Sequence, residues 1–205
     1  MTRPLGIILA GGQATRMGGG DKCLLPLGDR RIIDHVIDRI APQVKGLALN
    51  ANGDAARFAG VLPTVLSDSI PDFAGPLAGV LAGLDWAAGQ GASHVVSIAA
   101  DTPFFPRDLV ARLQDAIDPD LPIALAATSH PDRGKVRHPT FGLWPVALRD
   151  DLRAALQGGL RKVVLWTDKH GTATVMFDGN RVDPFFNINT PEDLAMAQNL
   201  VAEGV

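Results

Sequence analysis

Short apolar runs alternate with segments of helical periodicity along this chain. Residues 5–10 form a continuous apolar run that ends at a glycine pair, which is typical of a strand buried on both faces of a parallel sheet. From Arg31 onward, apolar residues recur at helical spacing until Pro42 ends the predicted helix. Residues 46–49 and 94–100 predict two more buried strands. The alternation predicts an α/β fold in which helices cover both faces of an open, mostly parallel sheet.

The rest of the chain continues this alternation. Residues 160–166 fit either a strand or a helix, because a short apolar run does not decide its own period. Residues 129–137 combine a proline, a glycine and several charges, and we interpret them as a mobile surface loop. Thr190 is a hydroxyl cap ahead of a proline and two acids, which predicts a helix start. The pattern predicts further strands at residues 61–66, 122–127 and 140–144, and helices at residues 77–88, 106–117, 146–156 and 191–201.

The composition favours a single domain over residues 1–205. The chain is 46% hydrophobic, and no composition shift, charge run or proline-rich linker divides it. Its net charge of -3 and pI near 5.9 argue against nucleic-acid binding, which requires broad basic surfaces. The N-terminal segment has no signal-peptide pattern, and no apolar run reaches membrane-spanning length. We therefore expect a cytoplasmic protein that binds neither nucleic acid nor membranes.

Cysteine and histidine usage excludes several kinds of site. Cys23 is the one cysteine, so an intrachain disulfide or a multi-cysteine zinc site is excluded. Although Lys22 lies beside it, no base partner can be placed, and we interpret Cys23 as an ordinary small residue. The five histidines form no metal-binding pair such as H-E-x-x-H.

The segment after the first strand carries the strongest chemical signal. Residues 11–20 contain five glycines, whose unshielded backbone N–H groups can converge on phosphate oxygens. Arg16 and Lys22 add positive charge. A flexible linker is the alternative, but linkers seldom lie between a buried strand and an amphipathic helix. No Walker motif is present, because the Gly-Lys pair at residues 134–135 precedes valine, and no G-x-G-x-x-G fingerprint follows the first strand.

Asp101 is the second candidate, at the carboxyl end of a predicted buried strand. Ligands of open parallel sheets bind at this edge, and a carboxylate there is a natural oxygen ligand for Mg²⁺ on phosphates. An aspartate after a strand can also be a turn former or a helix cap. The neighbouring phosphate loop favours the metal, so we assign Lys22, Asp101 and Arg16 as catalytic residues and Asp101 as the Mg²⁺ ligand.

These motifs together resemble a known family. The glycine-rich loop resembles the L-x-x-G-x-x-x-R-M signature of nucleotidyltransferases. The whole combination, in order along nearly the entire chain, resembles the molybdenum cofactor guanylyltransferases, the MobA family. The motifs that carry the resemblance lie at residues 9–12, 16–19, 21–22, 50–52, 75–79, 101–103 and 187–192.

The resemblance implies a single three-layer, Rossmann-like nucleotidyltransferase domain and a defined reaction. GMP would pass from Mg-GTP to the terminal phosphate of molybdenum-molybdopterin, which releases pyrophosphate and forms the guanine dinucleotide form of the cofactor. Leu-Ala-Gly-Gly at residues 9–12 favours guanine, since related cytidylyltransferases tend to carry Leu-Ala-Ala-Gly. The GTP-binding residues implied are Leu9, Ala10, Gly11, Lys22, Asn50, Asp68 and Asp101.

The acceptor site is assigned to residues near the last predicted helix. Asn187 and Asn189 precede a capped helix whose N-terminus favours anions, and the cations Arg161 and Lys162 complement it if the chain folds them inward. The alternative is that both asparagines only organise the turn. Residues 129–137 are either an acceptor contact or a solvated surface loop.

Expected partners are GTP and molybdenum-molybdopterin, and candidate protein partners are those that insert molybdenum and deliver the finished cofactor. Two rival functions stay open. One is a related nucleotidyltransferase that uses CTP or a sugar-phosphate acceptor. The other is a non-catalytic nucleotide-binding module, which would bind GTP without metal-dependent release of pyrophosphate.

Overall fold

A seven-stranded sheet organises the molecule. The computed structural model describes residues 2–11, 20–70, 75–160, 162–179 and 182–204. The strands are β1 (Leu5–Leu9), β2 (Pro26–Leu27), β3 (Arg30–Arg31), β4 (Gly46–Asn50), β5 (Val65–Leu66), β6 (His94–Ala99), β7 (Ile123–His130), β8 (Gly134–Pro145) and β9 (Thr172–Met176). The helices are α1 (Ile32–Ile40), α2 (Pro76–Gly89), α3 (Leu109–Ala116), α4 (Arg149–Gln157), α5 (Val163–His170) and α6 (Pro191–Ala202).

The sheet is mostly parallel, as the sequence predicts. Its order is β5-β4-β1-β6-β8-β7-β9, and β2 and β3 form a separate two-stranded pair. β1 runs parallel to both β4 and β6, and Leu9 is in register with Asn50 and Ala99. β8 is antiparallel to both of its neighbours, β6 and β7. The carboxyl ends of β1, β4 and β6 therefore meet at one edge, where ligands of such sheets bind.

Helices cover both faces of the sheet, which gives three layers. Successive residues of a strand point to opposite faces, so Ile7 and Ile8 enter different cores. Ile8 packs in a core that α1 and α3 complete, whereas Ile7 packs in one completed by α2, α4 and α5. Both isoleucines are fully buried. Burial of each contributes about 1.5–3 kcal/mol, which explains why β1 is apolar on both faces.

A buried polar contact joins β6 to β8. Ser97 is fully buried, and its hydroxyl donates to the carbonyl oxygen of Thr140 at 2.9 Å. The same hydroxyl accepts from Nε1 of the buried Trp144 at 2.8 Å. Because each polar group has a partner, the serine is accommodated in the core without an unpaired donor. No helix within the described residues is long and apolar enough to cross a membrane.

The prediction of a mobile surface loop at residues 129–137 is wrong. These residues form the paired ends of β7 and β8, with Ser129 opposite Lys135 and His130 opposite Gly134. Gly134 adopts a φ of 64°, a left-handed conformation that favours glycine and lets the chain reverse. The proline and the charges do mark a turn, but the turn is tight, and ladder pairing between β7 and β8 orders the residues on either side of it.

Three other elements differ from the sequence prediction in their bounds or their type. Only residues 65–66 of the predicted strand at residues 61–66 pair with β4. Of the segment 160–166, which fits either period, residues 163–166 belong to helix α5, where Val163 and Trp166 are buried. The sequence pattern missed β9, which pairs with β7 at the edge of the sheet. Pairing to another strand decides the bounds of β5 and the presence of β9, and local sequence does not contain that information.

Candidate active site

The ends of β1 and β6 form the floor of the candidate site. The backbone N–H of Ala10 donates to the carbonyl oxygen of Asn50 at 2.9 Å, and the backbone N–H of Ala100 donates to the carbonyl oxygen of Leu9 at 3.1 Å. These bonds continue the ladder just past the strands, so Leu9, Ala10 and Asp101 are held at fixed positions on the carboxyl edge. The glycine-rich residues 12–19, which include the predicted catalytic Arg16, lie outside the described residues.

Lys22 and Asp101 make direct contact, although 79 positions separate them. The Lys22 ammonium donates to Asp101 Oδ2 at 2.6 Å and to Asn189 Oδ1 at 2.7 Å. The side chains of Lys22 and Asp101 are only 13% and 23% exposed, so solvent screens this ion pair less than a surface pair. The geometry therefore brings together three residues that the sequence placed in the site.

Cys23, beside Lys22, packs inward. It is buried, and this burial raises the pKa of its thiol to about 12. A thiol with such a pKa is protonated at neutral pH and is a poor nucleophile. The structure therefore agrees with the interpretation of Cys23 as a packing residue.

The segment before α6 completes the site from the C-terminal side. The Thr102 hydroxyl donates to Asn187 Oδ1, and the backbone N–H of Ile188 donates to the carbonyl oxygen of Asp101 at 2.9 Å. Asp193 accepts from the backbone N–H groups of Asn189 and Thr190, each at 2.9 Å, within the capping box of α6. The backbone of this turn is thus fixed by the cap, as the sequence predicts for Thr190. The amide side chains reach across to Thr102 and Lys22.

A second polar group lies at the ends of β4 and β5. Asp68 Oδ1 accepts from the Asn50 amide at 2.9 Å, and Asp68 Oδ2 accepts from the Asn52 amide at 2.7 Å. The backbone N–H of Asp68 donates in turn to Asn52 Oδ1 at 2.9 Å. Asn52 thereby orients the carboxylate, a role that the sequence did not reveal. Arg57 supports this corner by donating to the carbonyl oxygen of Asn52 and pairing with Asp21 at 2.6 Å.

Helix α2 approaches this polar group so closely that one position excludes any side chain. A Cβ atom on Gly79 would lie 2.2 Å from Asn50 Oδ1 and 2.8 Å from Leu9 Cδ2. Both distances are well below van der Waals contact, so a substitution must displace Asn50 or the helix. The absence of a side chain at Gly79 therefore lets α2 pack directly against the site.

These residues enclose a cavity of about 430 Å³, which is within the usual size range of small-molecule sites. An adjoining small pocket is lined by Ala10, Lys22 and Asp101, among others. Thr140 also lines the main cavity and was missed by the sequence. It lies in β8 where the pairing with β7 changes register, between His138 and Gly142. Predicted site residues that line the main cavity are Leu9, Gly11, Asn50, Asp68, Asp101 and Asn187.

Of the two cations proposed for the acceptor, Lys162 lies within the described residues and does not line this cavity. Arg161 lies outside the described residues. Lys162 lines a separate, shallow surface cavity with Ala155 and Leu165, between α4 and α5. Within the described residues, no group of three or more His, Cys, Asp or Glu side chains could enclose a metal ion. A cation at Asp101 would therefore take most of its ligands from bound phosphates and water, as Mg²⁺ usually does.

The chain resembles known proteins over its full length. The family model described as "MobA-like NTP transferase domain" matches residues 6–172. The molybdenum cofactor guanylyltransferase of Bradyrhizobium sp. (strain ORS 278) is 53% identical over 201 residues, which cover 96% of this chain and 92% of the relative. The corresponding protein of Mesorhizobium japonicum is 50% identical over 201 residues, with 96% and 95% covered.

A solved structure supports the fold assignment. The molybdopterin-guanine dinucleotide biosynthesis protein A from Archaeoglobus fulgidus superposes with a TM-score of 0.71 at 20% identity, over 97% of this chain and 99% of that one. At this identity the superposition supports the fold alone. The family model and the two bacterial relatives carry the assignment further, and the chain belongs to the family of MobA-like NTP transferases.

Proposed function

We propose that this protein transfers GMP from GTP to the terminal phosphate of molybdenum-molybdopterin and releases pyrophosphate. The observation that carries the proposal is the contact of Lys22 with Asp101 and Asn189, at the edge of a cavity of ligand size. The bacterial relatives named as molybdenum cofactor guanylyltransferases support this choice of substrates. The product is the guanine dinucleotide form of the molybdenum cofactor.

Lys22 is the charge-stabilising residue of this reaction. An ammonium group has three N–H donors, and two of them are directed to Asp101 and Asn189. The third can reach a phosphate oxygen of GTP, and the two fixed contacts orient it. Negative charge builds on the leaving pyrophosphate, so a positioned cation lowers the barrier. Arg16 and the backbone amides of the glycine loop are assigned the same task from the sequence.

The residues at Asp101 suit a divalent cation, which we propose is Mg²⁺. Asp101 Oδ2 accepts from Lys22, whereas Oδ1 lies 3.2 Å from the Thr102 hydroxyl oxygen, whose one proton is donated to the nearer Asn187 Oδ1. The carboxylate therefore keeps lone pairs for a cation. Asp101 would hold the cation together with the phosphates of GTP. When bound, the cation neutralises phosphate charge and orients the triphosphate.

No general base is needed for this chemistry. The second pKa of a phosphate monoester is about 6, so the acceptor phosphate is already a dianion at neutral pH. The protein must instead bring two anions together and hold the attacking oxygen in line with the leaving group. Asn187 and Asn189 are assigned to the acceptor because they lie beside Lys22 and Thr102 on the C-terminal side of the cavity.

Asp68 and Asn50 are assigned to the nucleotide, with Leu9, Ala10 and Gly11 contributing backbone contacts. Guanine presents two adjacent N–H donor groups, and a carboxylate accepts from both. Asn50 and Asn52 already hold Asp68 in place, so it is preorganised as an acceptor. Cytosine presents a single amino group beside ring acceptors and makes a poorer match.

The test is pyrophosphate release by the purified protein with Mg²⁺, GTP and molybdenum-loaded molybdopterin. We expect release only when nucleotide and acceptor are both present, and much slower release when CTP replaces GTP. Equal rates with CTP, or with mannose 1-phosphate as acceptor, would assign a different nucleotidyltransferase activity. Tight GTP binding with no release would favour a non-catalytic module. A cytoplasmic location and binding to molybdenum-insertion or cofactor-delivery proteins remain predictions.

A further inference from the structure

A second cavity lies beside the β7–β8 hairpin, next to the candidate site. Its volume is about 520 Å³, and its lining includes Thr128, His138 and Asp183. His138 is two positions from Thr140, which lines the first cavity, so their Cα atoms are no more than about 7 Å apart. Asp183 precedes Asn187, which also lines the first cavity. The two cavities are therefore neighbours along the same strand and the same C-terminal segment.

His138 presents a fixed, flat ring in this second cavity. Its Nε2 lies 2.8 Å from the Thr128 hydroxyl, and its ring stacks on Phe185 with centroids 4.4 Å apart and planes at 28°. Phe185 is buried and itself contacts Phe141 and Phe177. Burial lowers the pKa of His138, an effect that nearby Asp183 opposes. A positioned imidazole of this kind offers a stacking surface to a planar ligand.

Asp183 supplies a hydrogen-bond acceptor in the second cavity. Its Oδ1 accepts from the backbone N–H of Phe185 at 2.9 Å, which fixes the carboxylate in a local turn. None of the ion pairs among the described residues includes Asp183. The carboxylate therefore keeps acceptor capacity for a ligand with adjacent N–H groups. Arg133 and Asp178 also line the cavity, so a cation and a second carboxylate lie beside Asp183.

We propose that this second cavity binds the pterin ring of the acceptor. A pterin is a flat heteroaromatic ring whose 2-amino-4-oxopyrimidine edge carries adjacent N–H donors. The ring stacks on His138 and donates to Asp183, while the phosphate tail extends past Thr140 and Asn187 toward Lys22. The inference rests on the proposed function, since it assumes that the acceptor is a phosphorylated pterin. It assigns the ring to residues that are distinct from those assigned to GTP.

Direct binding of a simple pterin tests the proposal without the transfer reaction. We would titrate 6-hydroxymethylpterin by its own fluorescence into the wild-type protein, Asp183→Asn and His138→Ala. Asparagine at position 183 can still accept from Phe185, so the local turn is retained. Loss of a charged acceptor should weaken pterin binding about tenfold or more. Lumazine has a carbonyl in place of the 2-amino group, so the preference for pterin over lumazine should shrink in Asp183→Asn.

The chain offers matched controls for both variants. Asp118 is also an exposed aspartate whose carboxylate accepts from the N–H two positions ahead, but it lies in the turn before β7. His94 is also a half-buried histidine, and burial lowers its pKa. It is the first residue of β6 and therefore lies at the amino end of that strand, away from the second cavity. Asp118→Asn and His94→Ala should leave pterin binding unchanged. All four variants should bind GTP like the wild type, and thermal melting verifies that each is folded.

The transfer assay then separates this inference from the proposed function. With molybdenum-loaded molybdopterin, Asp183→Asn and His138→Ala should raise the acceptor KM about tenfold and leave the KM for GTP unchanged. If the wild type transfers GMP but both variants keep the wild-type acceptor KM, the pterin binds elsewhere and only this inference fails. If the wild type binds 6-hydroxymethylpterin in a manner that depends on Asp183 but transfers no GMP, the cavity assignment stands and the proposed function fails.

Discussion

Asp101 is the residue on which the proposed chemistry depends most. In Asp101→Asn an oxygen remains to accept from Lys22, but the charge that would hold Mg²⁺ is lost. We expect turnover to fall on the order of 10²-fold or more, as when a group that stabilises transition-state charge is removed. Steady-state pyrophosphate release measures this, with the exposed Asp29→Asn as a matched control. Near-normal turnover of Asp101→Asn at ordinary Mg²⁺ concentrations would contradict the metal assignment.

Asp151 provides a residue-scale prediction about stability. It accepts from Trp166 Nε1 at 2.8 Å and from His170 Nε2 at 2.7 Å, and these bonds lower its pKa from 3.8 to about 2. An acid with a lowered folded-state pKa contributes stability above its unfolded pKa and loses it as pH falls through the folded value. The Tm difference between wild type and Asp151→Asn should therefore be largest above pH 4 and shrink toward pH 2.

The control for this melting series is Asp120→Asn, a change at an exposed aspartate in the turn before β7. Its Tm should follow the wild type throughout the series. A Tm difference between wild type and Asp151→Asn that stays constant down to pH 2 would show that the hydrogen bonds do not favour the ionised carboxylate.

The sequence predicted Lys22 and Asp101 from their positions after predicted strands, and Asn189 from its position before a capped helix. Lys22, Asp101 and Asn189 do meet in space. The sequence could not predict the roles of Asn52 or Thr140. Asn52 contacts Asp68 across 16 positions, and Thr140 lies where β8 changes register against β7, so both depend on tertiary pairing. Arg16 and Arg161 lie outside the described residues, and their roles stay predictions.

At the scale of elements, the approach of α2 to the nucleotide cavity gives a direct test. Gly79→Ala places a methyl carbon 2.2 Å from Asn50 Oδ1, so Asn50 or the helix must move. We expect GTP binding to weaken at least tenfold and the protein to lose about 1–3 kcal/mol of stability, as in other overpacked cores. Calorimetric titration with GTP and urea unfolding measure the two effects.

The same helix provides the control. Gly89 ends α2, and a Cβ atom there would meet nothing within 4 Å. Gly89→Ala should therefore be neutral or stabilise the protein by about 0.5–1 kcal/mol, because alanine loses less backbone entropy than glycine. If both variants bind GTP equally well, Asn50 does not contribute to the nucleotide site.

Helices with caps and strong periodicity were predictable as elements, and weakly patterned edges were not. The capping box at Thr190 marks the start of α6, and Pro42 follows α1, whose apolar residues recur at helical spacing. The β7–β8 hairpin was mistaken for a loop because its polar ends face solvent and have no apolar alternation. Its order comes from ladder pairing between the two strands, which composition does not encode.

At the scale of the whole molecule, the alternation of strands and helices predicted the fold class but not the strand order. The insertion of antiparallel β8 between β6 and β7 depends on which edges pair, and many orders satisfy the same pattern. This insertion brings the hairpin beside the carboxyl ends of β1 and β6. We propose that residues 1–205 form one domain, because a single sheet joins strands from Leu5 to Met176.

The proposed function requires that the α-phosphorus of GTP end in the cofactor. The most direct measurement uses GTP labelled at the α-phosphorus, with Mg²⁺ and molybdenum-loaded molybdopterin, followed by chromatography and mass analysis of the released cofactor. We predict one label per cofactor, a mass increase equal to the GMP moiety, and an equal amount of unlabelled pyrophosphate. Label found only in free GMP or GDP, with the cofactor unchanged in mass, would contradict guanylyl transfer.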